Sequence, residues 1–77
     1  MTIAEQAKAI YETELKAKLE ESHRDQFVAI EPQSKSYYVD AESVKASLAA
    51  KRAFPDRKCF LIRIGHAAAF HIGAGAS

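Results

Sequence analysis

The feature that most constrains the fold is the C-terminal segment, which has the composition of two apolar strands. Residues 59–64 are Cys-Phe-Leu-Ile-Arg-Ile and residues 67–72 are Ala-Ala-Ala-Phe-His-Ile. β-Branched and aromatic residues favour strands. Gly65 and His66, between the two runs, suit a two-residue type II′ turn, because glycine takes a positive φ without steric cost. We therefore predict an antiparallel hairpin that turns at Gly65.

This predicted hairpin is apolar on both faces, because side chains alternate along each strand. A turn at positions 65 and 66 pairs Ile62 with Ala69 and Leu61 with Phe70. One face then carries Phe60, Ile62, Ile64, Ala67 and Ala69, and the other carries Cys59, Leu61, Phe70 and Ile72, with Arg63 near the turn. An antiparallel sheet with a solvated face shows polar residues there. The sequence therefore predicts a cover for each face of the sheet.

An amphipathic pattern near the N-terminus predicts a helix over residues 3–21. Thr2 and Glu5 have the spacing of a capping box at its start. Apolar residues then recur three and four positions apart, as on one face of a helix. They are Ile3, Ala7, Ile10, Tyr11, Leu15 and Leu19.

A second helix is predicted over residues 41–54. Asp40 suits its N-cap, since a carboxylate accepts hydrogen bonds from first-turn N–H groups, and Pro55 ends it. We expect Ala41, Val44 and Leu48 to form its inward stripe. The stripe is narrow, so the helix can lie close to a sheet.

Residues 27–30 and 37–39 have strand patterns and flank a loop of about five residues that contains Pro32, so they predict a hairpin between the helices. The order α-β-β-α-β-β gives an α+β fold with a small antiparallel sheet of about four strands and helices packing on its faces. The second helix can cover one face of that sheet. Either the first helix or a second copy of the chain can cover the other.

Length and composition predict one small cytoplasmic domain over residues 1–77. It divides into the N-terminal helix, a ββαββ unit over about 26–73 and a frayed tail at 74–77. The net charge of +1 argues against a strong electrostatic attraction to nucleic acid. The single cysteine cannot form a disulfide within the chain and suits a reducing compartment. Neither a signal peptide nor an apolar run long enough to span a membrane is visible.

The sequence predicts no catalytic, metal or cofactor site, so we expect the protein not to be an enzyme. His66 and His71 are five residues apart, and this odd offset sends two side chains of one strand to opposite faces. In the predicted hairpin Cys59 lies opposite Ile72, in an apolar setting that raises a thiol pKa. We therefore expect Cys59 to be a buried hydrophobic residue rather than a nucleophile. No glycine precedes a helix in the manner of a phosphate-binding loop.

The leading functional prediction is a non-enzymatic protein-interaction module that self-associates, and its partner is either another protein or a second copy of the chain in a homodimer. Its predicted contact residues are Leu61, Arg63, Phe70 and either Tyr37 or Tyr38. The alternative is a small nucleic-acid-binding domain, in which Tyr37, Tyr38, Lys35 and Arg63 would combine aromatic and basic character.

Several stretches between Gln26 and Gly73 resemble a family of short uncharacterised bacterial proteins. The family pattern is F-V-A-I-D … G-D-Y … P-D … L-x-R-I-G-x-x-A-A-x-R-I-G. The matching stretches here are Phe27–Ile30, Ser36–Val39, Ala49–Arg52 with Pro55–Asp56, Leu61–Gly65 and Ala68–Gly73. Some members are encoded beside retropepsin-like proteases or in antitoxin-like settings, which implies a protein-binding role.

This chain departs from the family pattern at glycines and at one basic residue. The family's turn glycine corresponds to Lys35 or Ser36, and Asp25 stands where a glycine often precedes the first strand. His71 replaces the basic residue before the final Ile-Gly. The pattern contains no catalytic residues to transfer.

Overall fold

A computed structural model describes residues 2–66 with their side chains and the backbone of residues 69–73. Three α-helices, one π-helical segment and four strands follow one another along this part of the chain. The helical elements are α1 (Ile3–Ile10), the π segment (Tyr11–Leu15), α2 (Lys16–Ser22) and α3 (Ser43–Ala53). The strands are β1 (Phe27–Glu31), β2 (Ser36–Asp40), β3 (Lys58–Arg63) and β4 (Ala69–Gly73). The predicted α+β class with an antiparallel sheet is confirmed, whereas the predicted tail at 74–77 lies outside the described residues.

The N-terminal helix begins with the predicted capping box. The Thr2 hydroxyl accepts the Glu5 N–H at 3.1 Å, and the Glu5 carboxylate accepts the Thr2 N–H at 2.8 Å. Together these contacts satisfy two donors at the start of the helix, where no intrahelical partner exists.

The π-helical segment in the middle of this helix was not predicted. Tyr11, Leu15 and Leu19 are spaced four apart, and in a helix of 3.6 residues per turn each such step drifts by about 40°. The wider i→i+5 turn, closed by the Lys16 N–H on the Tyr11 carbonyl, offsets that drift. As a result, all three side chains are buried.

The sheet has the strand order β2-β1-β3-β4, with every neighbouring pair antiparallel. The β1–β2 hairpin pairs Glu31 with Ser36, so its loop is Pro32–Lys35, one residue shorter than predicted. In the β3–β4 pair, Leu61 lies opposite Phe70 and Ile62 opposite Ala69. These pairs are the predicted ones, but the turn at Gly65 differs from the prediction. The His66 N–H donates to the Arg63 carbonyl at 3.0 Å, so Ile64 and Gly65, rather than Gly65 and His66, are its central residues, and Gly65 has a φ of 89°.

Two helical layers cover the two faces of the sheet. The N-terminal helix packs on the face formed by Val28, Ile30, Phe60, Ile62 and Ile64. Helix α3 packs on the opposite face, where Ala29, Cys59 and Leu61 meet Ala46 and Ala50. The choice that the sequence left open is therefore resolved: the first helix covers its own sheet, and a second chain is not needed on that face.

The prediction for the inward stripe of α3 was wrong. Val44 is 65 % exposed and Leu48 47 % exposed, while Ala46 and Ala50 are buried against the sheet. The sheet already presents bulky side chains on this face, with Phe27 and Tyr38 packed around the buried cluster. Small residues on the helix complement that surface, because an alanine lets the helix backbone approach closely where a leucine would clash.

The start of α3 also differs from the prediction. The helix begins at Ser43, with Glu42 as an N-cap that makes no side-chain cap bond. Asp40 instead accepts the Glu42 N–H at 2.9 Å and shapes the turn before the helix. Ala41 is therefore exposed outside the helix.

Candidate functional site

The outer face of α3 carries two large apolar side chains that nothing in the described chain covers. Val44 and Leu48 lie one helical turn apart and point away from Ala46 and Ala50. Among residues with described side chains, they are the exposed large hydrophobic residues. Paired apolar residues at this spacing form the centre of many helix–helix contacts. We call Val44, Leu48 and the charged residues around them the α3 outer face.

The charges around these two residues differ between the two ends of the helix. Asp40 and Glu42 precede its first turn, whereas Lys51 and Arg52 lie in its last turn. Glu42 is paired with Lys45 at 3.2 Å, and both side chains are more than 60 % exposed. An ion pair this exposed is weak and can exchange partners at little cost. The α3 outer face therefore has an acidic end, an apolar centre and a basic end.

The sequence signal for this surface was present but was misinterpreted. Val44 and Leu48 are four residues apart, and so are Ala46 and Ala50. Each pair therefore forms a stripe on one side of the helix, and either stripe could face the core. Hydrophobicity alone favours the larger residues. Only the bulk of the opposing sheet, which is a tertiary property, selects the alanines.

The five predicted contact residues do not form one continuous surface. Leu61 is only 6 % exposed and lies beneath α3. Tyr37 packs with the N-terminal helix, while Tyr38 packs with α3 on the other face of the sheet. The side chain of Phe70 lies outside the described residues. Arg63 is exposed, and its guanidinium lies over the Phe27 ring at 5.9 Å.

The residues of the nucleic-acid alternative are likewise separated and engaged. The Tyr37 hydroxyl accepts a hydrogen bond from Lys18 at 2.9 Å, and Lys35 forms an ion pair with Glu14 at 3.3 Å. Base stacking needs aromatic faces presented together along a basic groove. Tyr37 and Tyr38 are adjacent in β2 and so point to opposite sides.

A second polar cluster surrounds Gly65 at one end of the sheet. The Tyr11 hydroxyl accepts the Gly65 N–H at 3.1 Å and donates to Glu20 at 3.0 Å. Burial raises the pKa of Tyr11 above its usual value, with a smaller contribution from the Glu20 carboxylate. These hydrogen bonds connect the π-helical segment to the turn after β3, and in them the Tyr11 hydroxyl acts both as donor and as acceptor.

At the same end of the sheet, His66 lines a shallow cleft of about 260 Å³ together with Tyr11 and Glu20, and it also contacts Asp25. The imidazole Nε2 lies 2.8 Å from the Asp25 carboxylate, and this hydrogen bond lowers the pKa of Asp25. Both side chains are largely exposed, so the pair adds little to stability. Within residues 2–66, no three His, Cys, Asp or Glu residues are placed to bind a metal ion.

Cys59 is buried completely between α3 and the sheet. Burial raises the pKa of its thiol, and the Glu31 carboxylate adds to this effect. Because the thiolate is the nucleophile, a buried thiol with a raised pKa reacts slowly.

We expect iodoacetamide to label Cys59 at least about tenfold more slowly in native buffer than in urea, since labelling must wait for the fold to open. Mass spectrometry of timed samples measures this rate. A cysteine introduced at exposed Ala17 is the control and should label rapidly in both conditions. Equal rates for Cys59 in native buffer and in urea would contradict its burial.

In the part of the chain that the structure describes, no helix combines the length and the hydropathy that crossing a membrane requires. Comparison with protein-family models, with curated proteins and with solved structures finds no match for this chain.

Proposed function

We propose that this protein is a non-enzymatic protein-interaction module that self-associates through the α3 outer face. The observation that carries the proposal is the exposure of Val44 and Leu48, one turn apart, on a helix whose other side is fully packed. Each buried aliphatic side chain contributes about 1.5–3 kcal/mol relative to an exposed one. Removing two such pairs from water gives association a driving force that does not depend on catalysis.

The polar clusters of the chain support an interaction role over an enzymatic one. The Tyr11 phenol is fully hydrogen-bonded, and Cys59 is buried with a raised thiol pKa. The unpaired cysteine also suits a reducing compartment, and we place the protein in the cytoplasm.

The resemblance to the family of short bacterial proteins gains support from backbone geometry, and we propose it as the chain's relationship. Asp25 has a φ of 70° and Lys35 a φ of 62°. Both lie in the left-handed region, where glycine is favoured. Asp25 stands where the family often has glycine, and Lys35 is one of the two positions, with Ser36, that can correspond to the family's turn glycine, so the same turns fit both sequences. The family's antitoxin-like settings agree with a protein-binding role.

Replacing Leu48 by aspartate is expected to weaken self-association at least about tenfold, since it places a charge in the apolar centre of the contact. Light scattering after gel filtration measures the mass over a range of concentrations. The wild-type mass should rise from 8.5 kDa toward twice that value, while Leu48→Asp should remain near the monomer mass.

Ala17→Asp is the matched control, because it introduces the same charge on an exposed helical position away from α3. It should self-associate like the wild type. A wild type that stays at 8.5 kDa at every concentration would refute the proposal, as would an undiminished dimer of Leu48→Asp.

A further inference from the structure

We infer that the second copy docks with its α3 antiparallel to the first, about a two-fold axis that crosses the helix between Val44 and Leu48. This inference rests on the proposed self-association and specifies its geometry. A two-fold contact must be self-complementary, because the same patch serves both partners. Both a parallel and an antiparallel pair of helices can satisfy that requirement, and the residues of the α3 outer face favour the antiparallel one.

The apolar centre sets the register of the two helices. When Val44 of one copy lies beside Leu48 of the other, symmetry places the second copy's Val44 beside the first copy's Leu48. Both side chains of each copy then contact an apolar partner. The residue beside them at position 47 is a small one, Ser47, which is half-buried and leaves the helices free to approach.

The charges at the ends of α3 select the antiparallel orientation over the parallel one. In the register just described, Glu42, the N-cap residue of one α3, lies within one residue of the level of Lys51 in the last turn of the other. Opposite charges therefore meet at both ends of the contact. In a parallel arrangement Glu42 would meet Glu42 and Lys51 would meet Lys51, so like charges would repel. The helix dipoles also oppose each other favourably only when the helices are antiparallel.

The intrachain partner of Glu42 does not prevent this pairing. Lys45 holds Glu42 at 3.2 Å, but the contact is exposed and joins residues three apart in sequence. Glu42 is also not needed to cap the helix, because its side chain makes no cap bond. Its carboxylate can therefore turn toward a second chain while α3 stays intact.

Charge reversal at one end of α3 tests the orientation directly. Glu42→Lys and Lys51→Glu should each weaken the homodimer about tenfold, because two symmetry-related attractions become repulsions worth about 1.4 kcal/mol together. Mixing the two variants should restore dimers to within about threefold of the wild type. The double variant Glu42→Lys/Lys51→Glu should also recover, since each reversed charge again meets its opposite.

Sedimentation equilibrium in low-salt buffer measures these affinities, and circular dichroism confirms that each variant remains folded. If neither the mixture nor the double variant recovers, the antiparallel pairing is wrong. The antiparallel pairing would also be wrong if Glu42→Lys chains bound wild-type chains as tightly as they bind Lys51→Glu chains. Self-association that is lost in Leu48→Asp would still support the proposed function, so the two failures are distinguishable.

Discussion

Replacing Glu31 by alanine is expected to lower the free energy of unfolding by about 3 kcal/mol, which is most of the net stability of a domain this small. Glu31 ends β1 and is 1 % exposed. Its carboxylate accepts the N–H groups of Gln33 at 2.8 Å and Ser34 at 3.0 Å. It also accepts a hydrogen bond from Arg57 at 3.2 Å. One buried anion therefore fixes the β1–β2 turn and ties it to the chain that enters β3.

The large effect follows from the number of donors that share this one acceptor. Hydrogen bonds to a charged group contribute about 1.5–3 kcal/mol each when measured by deletion. Some of that is recovered because water reaches Gln33, Ser34 and Arg57, which are all exposed. Glu31→Gln keeps the shape and one acceptor oxygen, so we expect about half the loss of the alanine variant.

Protonation of Glu31 should lower the free energy of unfolding of the wild type by part of the amount that Glu31→Ala removes. Burial raises the pKa of this carboxyl, but the hydrogen bonds from Ser34, Gln33 and Arg57 outweigh it and hold the pKa below its ordinary value of 4.5. A folded-state pKa below the unfolded one means that the contribution is complete above about pH 4.5 and is lost as the pH falls through the folded value. The free energy of unfolding of Glu31→Gln should therefore vary less with pH in the acid range.

Urea unfolding followed by circular dichroism, at neutral pH and in acid, measures both effects. Glu21→Ala is the matched control, because Glu21 is exposed at the end of α2 and should change stability by no more than about 0.5 kcal/mol. Equal stabilities for Glu31→Ala and Glu21→Ala would show that the turn does not depend on the buried carboxylate.

The sequence predicts the elements of this fold better than their packing. The capping box of Thr2 and Glu5 is a local device, encoded within a few neighbouring residues, and it was predicted correctly. The same holds for the α+β class, because each strand and helix has its own periodicity. The role of Glu31 was not foreseen, since its donors include Arg57, which is 26 positions away in sequence.

The candidate site could not be predicted from hydrophobic periodicity alone. The contact residues predicted from the sheet included Leu61, which α3 covers. Val44 and Leu48 were assigned to the core because large aliphatic residues are usually buried. Their exposure depends on which side of α3 fits a sheet face that is already crowded by Phe27 and Tyr38. That fit is decided by side-chain volumes from separate segments of the chain, and no single window of sequence encodes it.

Enlarging a side chain on the inner side of α3 should therefore destabilise the protein, and shortening one on the outer side should not. The sequence alone, which predicts Leu48 to be in the core, implies the opposite. Ala50→Leu is expected to lower the free energy of unfolding by about 3 kcal/mol, because Ala50 is fully buried between the helix and the sheet. Leu48→Ala should change it by no more than about 0.5 kcal/mol at concentrations where the chain is monomeric. Alanine and leucine both favour helices, so propensity contributes little to either result.

Urea unfolding of both variants beside the wild type measures this contrast. If α3 were rotated so that Val44 and Leu48 faced the sheet, Leu48→Ala would open a cavity and cost about 2–5 kcal/mol. Ala50→Leu would then lie on the surface and be nearly neutral. That reversed result would place the apolar stripe back in the core and remove the basis for docking on α3. The expected result leaves Val44 and Leu48 in water, which is the condition that self-association through this helix requires.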